Sequence, residues 1–184
     1  MILFLNACVR EQSRTLRLAY RLLQKMNRPY TELRVYDAVY PIADEAFLTQ
    51  RDQRIAACAF DDPMFDLARQ FARADEIVIA APYWDLSFPA ALKQYLEQIN
   101  VLGVTFRYTP LGIPEGLCRA ERLTYVTTAG GTYCPEEYGF GYIKALAQNF
   151  YGISDVRFVR AVGLDIDGAD TEAILQAAFE NAAI

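Results

Sequence analysis

The chain has 184 residues, 53% of them hydrophobic and 22% charged. That is enough to bury one core and too little for a second domain of ordinary size, so a single domain over residues 1–184 is expected. A net charge of -5 leaves no footprint for DNA or RNA, whose phosphates demand clustered Lys and Arg, and the absence of histidine removes Ser-His-Asp and Cys-His hydrolases, His-ligated zinc and imidazole acid-base catalysis together.

In chain order, residues 1–7 form an apolar run that meets Arg10 and Glu11 too soon for a signal peptide or a membrane span, and they read as a first strand. Leu16, Ala19, Tyr20, Leu23 and Met26 then fall on one face at helical spacing. A second strand is expected at 32–36. Residues 37–62 carry no clear period, and 45–60 read as an added surface helix. Met64, Leu67, Ala68, Phe71 and Ala72 make the next helical stripe, followed by a strand at 76–80 and a stripe through Phe88, Ala91, Leu92, Tyr95, Leu96 and Ile99. Strands at 123–128 and 156–162 enclose a helix through Ile143, Leu146, Ala147 and Phe150. Ile174, Leu175, Ala178, Phe179 and Ala182 close the chain as a last helix. Apolar, branched strands alternating with amphipathic helices predict an α/β fold, a parallel sheet with helices on both faces. Cys8, Cys58, Cys118 and Cys134 are far apart with no C-x-x-C pair, which suits free thiols in a reducing cytoplasm better than a disulfide framework.

In such a sheet a ligand lies beyond the carboxyl ends of the strands, where strand order reverses, so the loops after the first, third and fourth strands carry the interest. The first ends in Ser13-Arg14-Thr15 at a helix start, where hydroxyls beside unpaired amides suit one phosphate, although Ser13 serves equally as a plain cap. Neither G-x-G-x-x-G nor G-x-x-x-x-G-K-[ST] is present. The third loop, Ala81-Pro82-Tyr83-Trp84-Asp85-Leu86-Ser87-Phe88-Pro89, places two aromatics after a strand end, either as a platform for a flat ligand or as the rim of the core. The fourth, Thr127-Thr128-Ala129-Gly130-Gly131-Thr132-Tyr133, has glycines that admit close approach of backbone to ligand or simply make a turn.

Several of these segments resemble the FMN-dependent NADH-azoreductase branch of the flavodoxin-like quinone reductases. Ala81-Pro82-Tyr83-Trp84-Asp85 with Pro89-Ala90-Ala91-Leu92-Lys93-Gln94-Tyr95 is similar to that family's A-P-M-Y-N-F turn and helix, and Thr127-Thr128-Ala129-Gly130-Gly131 to its T-[ST]-R-G-G loop. Gly103-Val104-Thr105-Phe106-Arg107-Tyr108-Thr109 is similar to its G-V-T-F-R-Y-T run nearly letter for letter, and the likeness extends from the first strand to the last helix. The resemblance implies a three-layer flavodoxin-like fold, a doubly wound five-stranded parallel sheet of order 2-1-3-4-5. It implies noncovalent FMN, with phosphate at Ser13, Arg14 and Thr15 together with Cys8, and with the ring along Pro82, Tyr83, Trp84, Asp85, Leu86, Thr128, Ala129, Gly130 and Gly131. It further implies a cytoplasmic homodimer in which NADH or NADPH reduces the flavin and a quinone, azo or nitroaromatic acceptor reoxidises it, no side chain being required as catalyst. Phe106, Tyr108 and Tyr133 are then expected to border the acceptor, the first two in the partner's site or as a packed interface. The family's Met-Tyr-Asn-Phe and Arg-Gly-Gly are here Tyr83-Trp84-Asp85-Leu86 and Ala129-Gly130-Gly131, so its substrate range does not carry over. An electron-carrier flavodoxin, which binds FMN without oxidising NAD(P)H, is the alternative, and a flavin-free regulator of the same fold is a third.

Overall fold

The structure is a computed structural model that describes residues 1–183. In chain order its elements are β1 (Ile2–Asn6), α1 (Arg14–Met26), β2 (Tyr30–Arg34), α2 (Glu45–Ala56), α3 (Asp66–Arg73), β3 (Glu76–Ala80) and α4 (Ala90–Ile99). The short strands β4 (Phe106–Tyr108) and β5 (Pro114–Gly116) follow, then β6 (Arg122–Thr128), α5 (Phe140–Leu146), β7 (Asp155–Ala161) and α6 (Thr171–Glu180). Five strands form one parallel sheet in the order β2-β1-β3-β6-β7, and β4 and β5 form a separate antiparallel pair. This is the expected flavodoxin-like order, with the hairpin taking two numbers in the middle.

Alternation along each strand divides the core in two. Ile2, Phe4, Val78, Ala80 and Val126 face α1 and α6, whereas Leu3, Leu5, Ile77, Ile79, Leu123 and Tyr125 face α3, α4 and α5. β1 and β3 are buried along their whole length because both faces are covered, which explains their unbroken apolar sequences. β2 lies at the edge and starts two residues before the expected position. Being only partly covered, it carries the polar Thr31 and Glu32, and apolar periodicity is a poor guide to its limits. α2 has no buried residue, as suits an added surface helix. α1 is closed by Asn27 in the left-handed region, and α5 runs into a wide π turn at Ala147–Tyr151 that ends on Gly152.

The hairpin was not legible as strands. α4 carries the chain back to the sheet's amino-terminal edge, and β4–β5 packs there against the π turn, with Phe106 edge-on to Phe150 at 4.9 Å. The same edge holds an ion network. Buried Glu76 bonds Arg28, Arg122 joins β6 to Asp155 on β7 at 2.7 Å, and Asp75 takes the terminal ammonium and Arg119. Hydrogen bonds from the N-terminus hold Asp75 below its ordinary range, bonds from Arg157 and Arg122 do the same for Asp155, and the Met64 amide and Arg54 do so for Asp62. Depressed carboxylates contribute stability above their unfolded pKa, and that contribution is lost as pH falls toward the folded values. Thermal unfolding followed by circular dichroism is therefore expected to shift to lower temperature below about pH 4, with a smaller shift in high salt because these groups are exposed enough to be screened.

Candidate functional site

At the carboxyl edge of the sheet, Asn6 of β1 stands level with Ala80 of β3, while β6 runs two residues further to Thr128, level with Ala161 of β7. The loops leaving these strands enclose a cleft of about 270 Å³ whose lining includes Ser13, Arg14, Thr15, Pro82, Tyr83, Trp84, Thr128 and Gly130. Hydrogen bonds set each wall. Asn6, buried, accepts the Cys8 amide at 2.9 Å and donates to Glu32 at 2.7 Å, which turns the first loop. Ser13 caps α1 by accepting the Leu16 amide at 3.3 Å, leaving the first-turn donors and the positive end of the helix dipole toward the cleft. Thr15 and Thr128 join hydroxyls at 2.6 Å across the floor. Thr127 donates to the Ala81 carbonyl at 2.7 Å, and the Tyr83 amide donates to the Thr128 carbonyl at 3.1 Å, tying the third loop to the fourth.

The aromatic turn is held under strain. Trp84 and Ser87 exchange amide-to-carbonyl bonds at 3.0 and 2.7 Å around Asp85 and Leu86, whose φ values are +50° and +64°. Two successive positive φ values make a tight hairpin turn usually given to Asn and Gly, and Leu is poorly suited to it. Each such residue costs on the order of 1–3 kcal/mol and persists only where its surroundings impose it, which is characteristic of ligand sites.

The opposite wall contains a residue that the sequence reading missed. Arg14 donates to the Asp165 carboxylate at 2.6 Å and to the Leu164 carbonyl at 2.8 Å. The amides of Gly163, Leu164 and Asp165 donate in turn to the carbonyls of Gly131, Ala129 and Gly130, so the loop after β7 zips onto the loop after β6. A Cβ on Gly130 would lie 2.1 Å from Asp165 Oδ2, so any larger residue there would have to turn that exposed carboxylate aside from its bond with Arg14. The signal for Asp165 was positional, because the loop after the last strand opens on the same edge as the other three. Val9, Arg10 and Gln12 also line the cleft without having been singled out.

Other expected residues lie elsewhere. Cys8 is turned into the core with its thiol against the Ala80 carbonyl, and burial pushes it up to about 11, so it stands behind the cleft wall as a neutral thiol. Ala129 is buried, and its amide is committed to Ala161. Gly131 borders open space just outside, and Tyr133 is 66% exposed beyond it. Asp85 and Leu86 form the rim, Asp85 lining an adjoining groove. Phe106 and Tyr108 sit on the hairpin at the opposite edge of the sheet and do not reach this cleft.

A doubly wound sheet with an open helix start, an aromatic turn and a glycine loop on one edge is an architecture suited to a flat, phosphorylated ligand at its strand ends. The chain belongs to the flavodoxin-like fold family Flavodoxin_2, which matches residues 1–183. It is 34% identical over 194 residues to an FMN-dependent NADH:quinone oxidoreductase of Lachnoclostridium phytofermentans, covering 100% of this chain and 96% of that protein. Its structure resembles an azoreductase from Bacillus anthracis (TM-score 0.84, 25% identity, 97% of this chain and 94% of that one). It also resembles an FMN-dependent NADH-azoreductase from the same species in complex with FMN (TM-score 0.79, 26% identity, 97% and 93% covered).

Proposed function

We propose that this chain is an FMN-dependent NAD(P)H oxidoreductase that reduces quinones and azo compounds. The observation that carries the reading is the convergence of Ser13, Arg14, Tyr83, Trp84, Thr128 and Gly130, drawn from three loops far apart in sequence, on one cleft. The donor set fits FMN. Ser13, the first amides of α1 and the unused N–H groups of Arg14 suit a phosphomonoester, while Pro82 to Trp84 on one side and Thr128 and Gly130 on the other suit the edges of a planar ring. Bound FMN supplies the two-electron chemistry, and the protein binds, orients and shields it.

For a quinone the balance is NADH, one proton and the quinone giving NAD⁺ and the hydroquinone. An azo bond, which needs four electrons to yield two amines, takes two NADH and two protons. Nitroaromatics fit the same donor chemistry. We propose that donor and acceptor react with the flavin in turn, each approaching at the one aromatic turn that borders the cleft. The reading extends to a cytoplasmic homodimer of single-domain subunits with Tyr108 toward the partner's acceptor, Phe106 being buried against Phe150 as part of the packed hairpin. In its support, Tyr108, Leu111 and Ile113 of the hairpin expose an apolar face. Among the described residues, no helix is long and apolar enough to cross a membrane.

The test is anaerobic spectroscopy of the protein reconstituted with FMN. The yellow absorbance is expected to bleach on addition of NADH or NADPH and to return on addition of a quinone. Trp84, the only tryptophan in the chain, lies in the cleft and reports FMN uptake by loss of its fluorescence. Tight FMN binding without bleaching by either nucleotide would overturn the enzyme in favour of an electron carrier.

A further inference from the structure

Resting on that reading, we propose that the groove beside the cleft seats the electron acceptor and that Asp85 makes it select uncharged or cationic planar acceptors over anionic ones. The groove, about 620 Å³, lies between the loop after β2 and the start of α4. Tyr36, Tyr40 and Phe88 give it aromatic walls that suit a planar molecule, and Gln94 and Ser87 add polar groups that suit a ring carbonyl. Trp84 lines both the cleft and the groove, so a flat molecule in one lies beside whatever fills the other.

The charge of the groove is one-sided. Among its twelve lining residues there is no Lys or Arg, and Asp85 is the single carboxylate. Burial raises the phenols of Tyr36 and Tyr40 above their ordinary value, so both are neutral near pH 7 and Asp85 alone sets the sign. Its position is fixed by the reciprocal Trp84–Ser87 bonds and by its own φ of +50°. An acceptor carrying a sulfonate or carboxylate close to its ring therefore meets a carboxylate with no compensating cation, and a quaternary ammonium meets an attractive one.

The experiment uses FMN-loaded protein and three naphthoquinones of one ring system, bearing no charge, a sulfonate or a trimethylammonium group. Each is measured for kcat/KM at saturating NADH and low ionic strength. Dissociation constants of the oxidised quinones are measured by calorimetry without NADH. Replacing Asp85→Asn is expected to raise the ratio of sulfonate to neutral kcat/KM about fivefold and to lower the ratio of cationic to neutral by a similar factor, with the dissociation constants moving in parallel. Asn adopts positive φ readily, so the turn is retained. As an independent measure on the unaltered protein, raising salt to about 0.5 M should compress the spread between anionic and cationic acceptors, since the Debye length then drops to a few ångström. If the ratios stay within twofold in the variant and salt leaves the spread unchanged, the groove does not select by charge. If instead the neutral quinone fails to reoxidise the unaltered protein at all, the proposed function itself has failed.

Discussion

Replacing Gly116 with alanine is expected to destabilise the protein by more than about 4 kcal/mol, enough to lower the thermal midpoint by about 10 °C or more. At this point the end of β5 crosses the end of the π turn. An added Cβ would lie 2.1 Å from the Gly152 nitrogen and 2.2 and 2.4 Å from the Tyr151 carbonyl carbon and oxygen. All three are backbone atoms, so no rotamer change relieves the overlap, and the hairpin must lift off or the turn must rewind. Either movement separates Phe106 from Phe150 and uncovers the buried side of Tyr151. The comparison is Gly131→Ala, where nothing lies within 4 Å of the new carbon and a change within about 0.5 kcal/mol is expected. Calorimetry of both variants decides the matter, and a Gly116→Ala protein within about 1 kcal/mol of the original would refute the close approach.

The second large effect is on cofactor affinity. Arg14→Ala removes a charged donor from the cleft and leaves the Asp165 carboxylate without its 2.6 Å partner beside the incoming phosphate. Charge-assisted hydrogen bonds contribute about 1.5–3 kcal/mol, and the abandoned carboxylate adds repulsion, so FMN binding should weaken by roughly 100-fold, or about 3 kcal/mol. Riboflavin, which has the ring without the phosphate, should lose little. Removing the carboxylate as well, in Arg14→Ala/Asp165→Ala, should recover about tenfold of the FMN affinity, because the repulsion goes with it. Fluorescence titration of the three proteins with both flavins reads these values. Equal losses for FMN and riboflavin would place Arg14 away from the phosphate.

Much of this site was legible from local sequence. Ser13 read as a helix start, Pro82-Tyr83-Trp84 as an aromatic strand end and Thr128 to Gly131 as a glycine turn, and the structure gathers Ser13, Pro82 to Trp84, Thr128 and Gly130 in one cleft. Each is encoded within a few residues, and the alternation of strand and helix places all of them on the same edge. Local sequence failed where the decisive neighbour is distant. Arg14 reads as a free phosphate ligand until Asp165, far along the chain, takes part of its donor capacity. Cys8 sits one residue from exposed Val9, and only its contact with the Ala80 carbonyl on the neighbouring strand shows that the thiol points inward. Phe106 and Tyr108 stand in the most recognisable segment of the chain, yet the return path of α4 carries them to the far edge.

What the sequence alone determined is the inventory: the order of the five sheet strands and their helices, the apolar faces of each, the want of histidine and the unusual residues at the strand ends. Periodicity is written into neighbouring residues and survives without knowledge of the fold. Only the tertiary structure decided the partners, namely the Arg14–Asp165 pair, the crossing of Gly116 over Gly152, and the groove in which Trp84 and Asp85 meet Tyr36 and Tyr40. Those contacts join segments tens of residues apart, and their geometry follows from the sheet order and the path of the crossovers, which no short window of sequence contains.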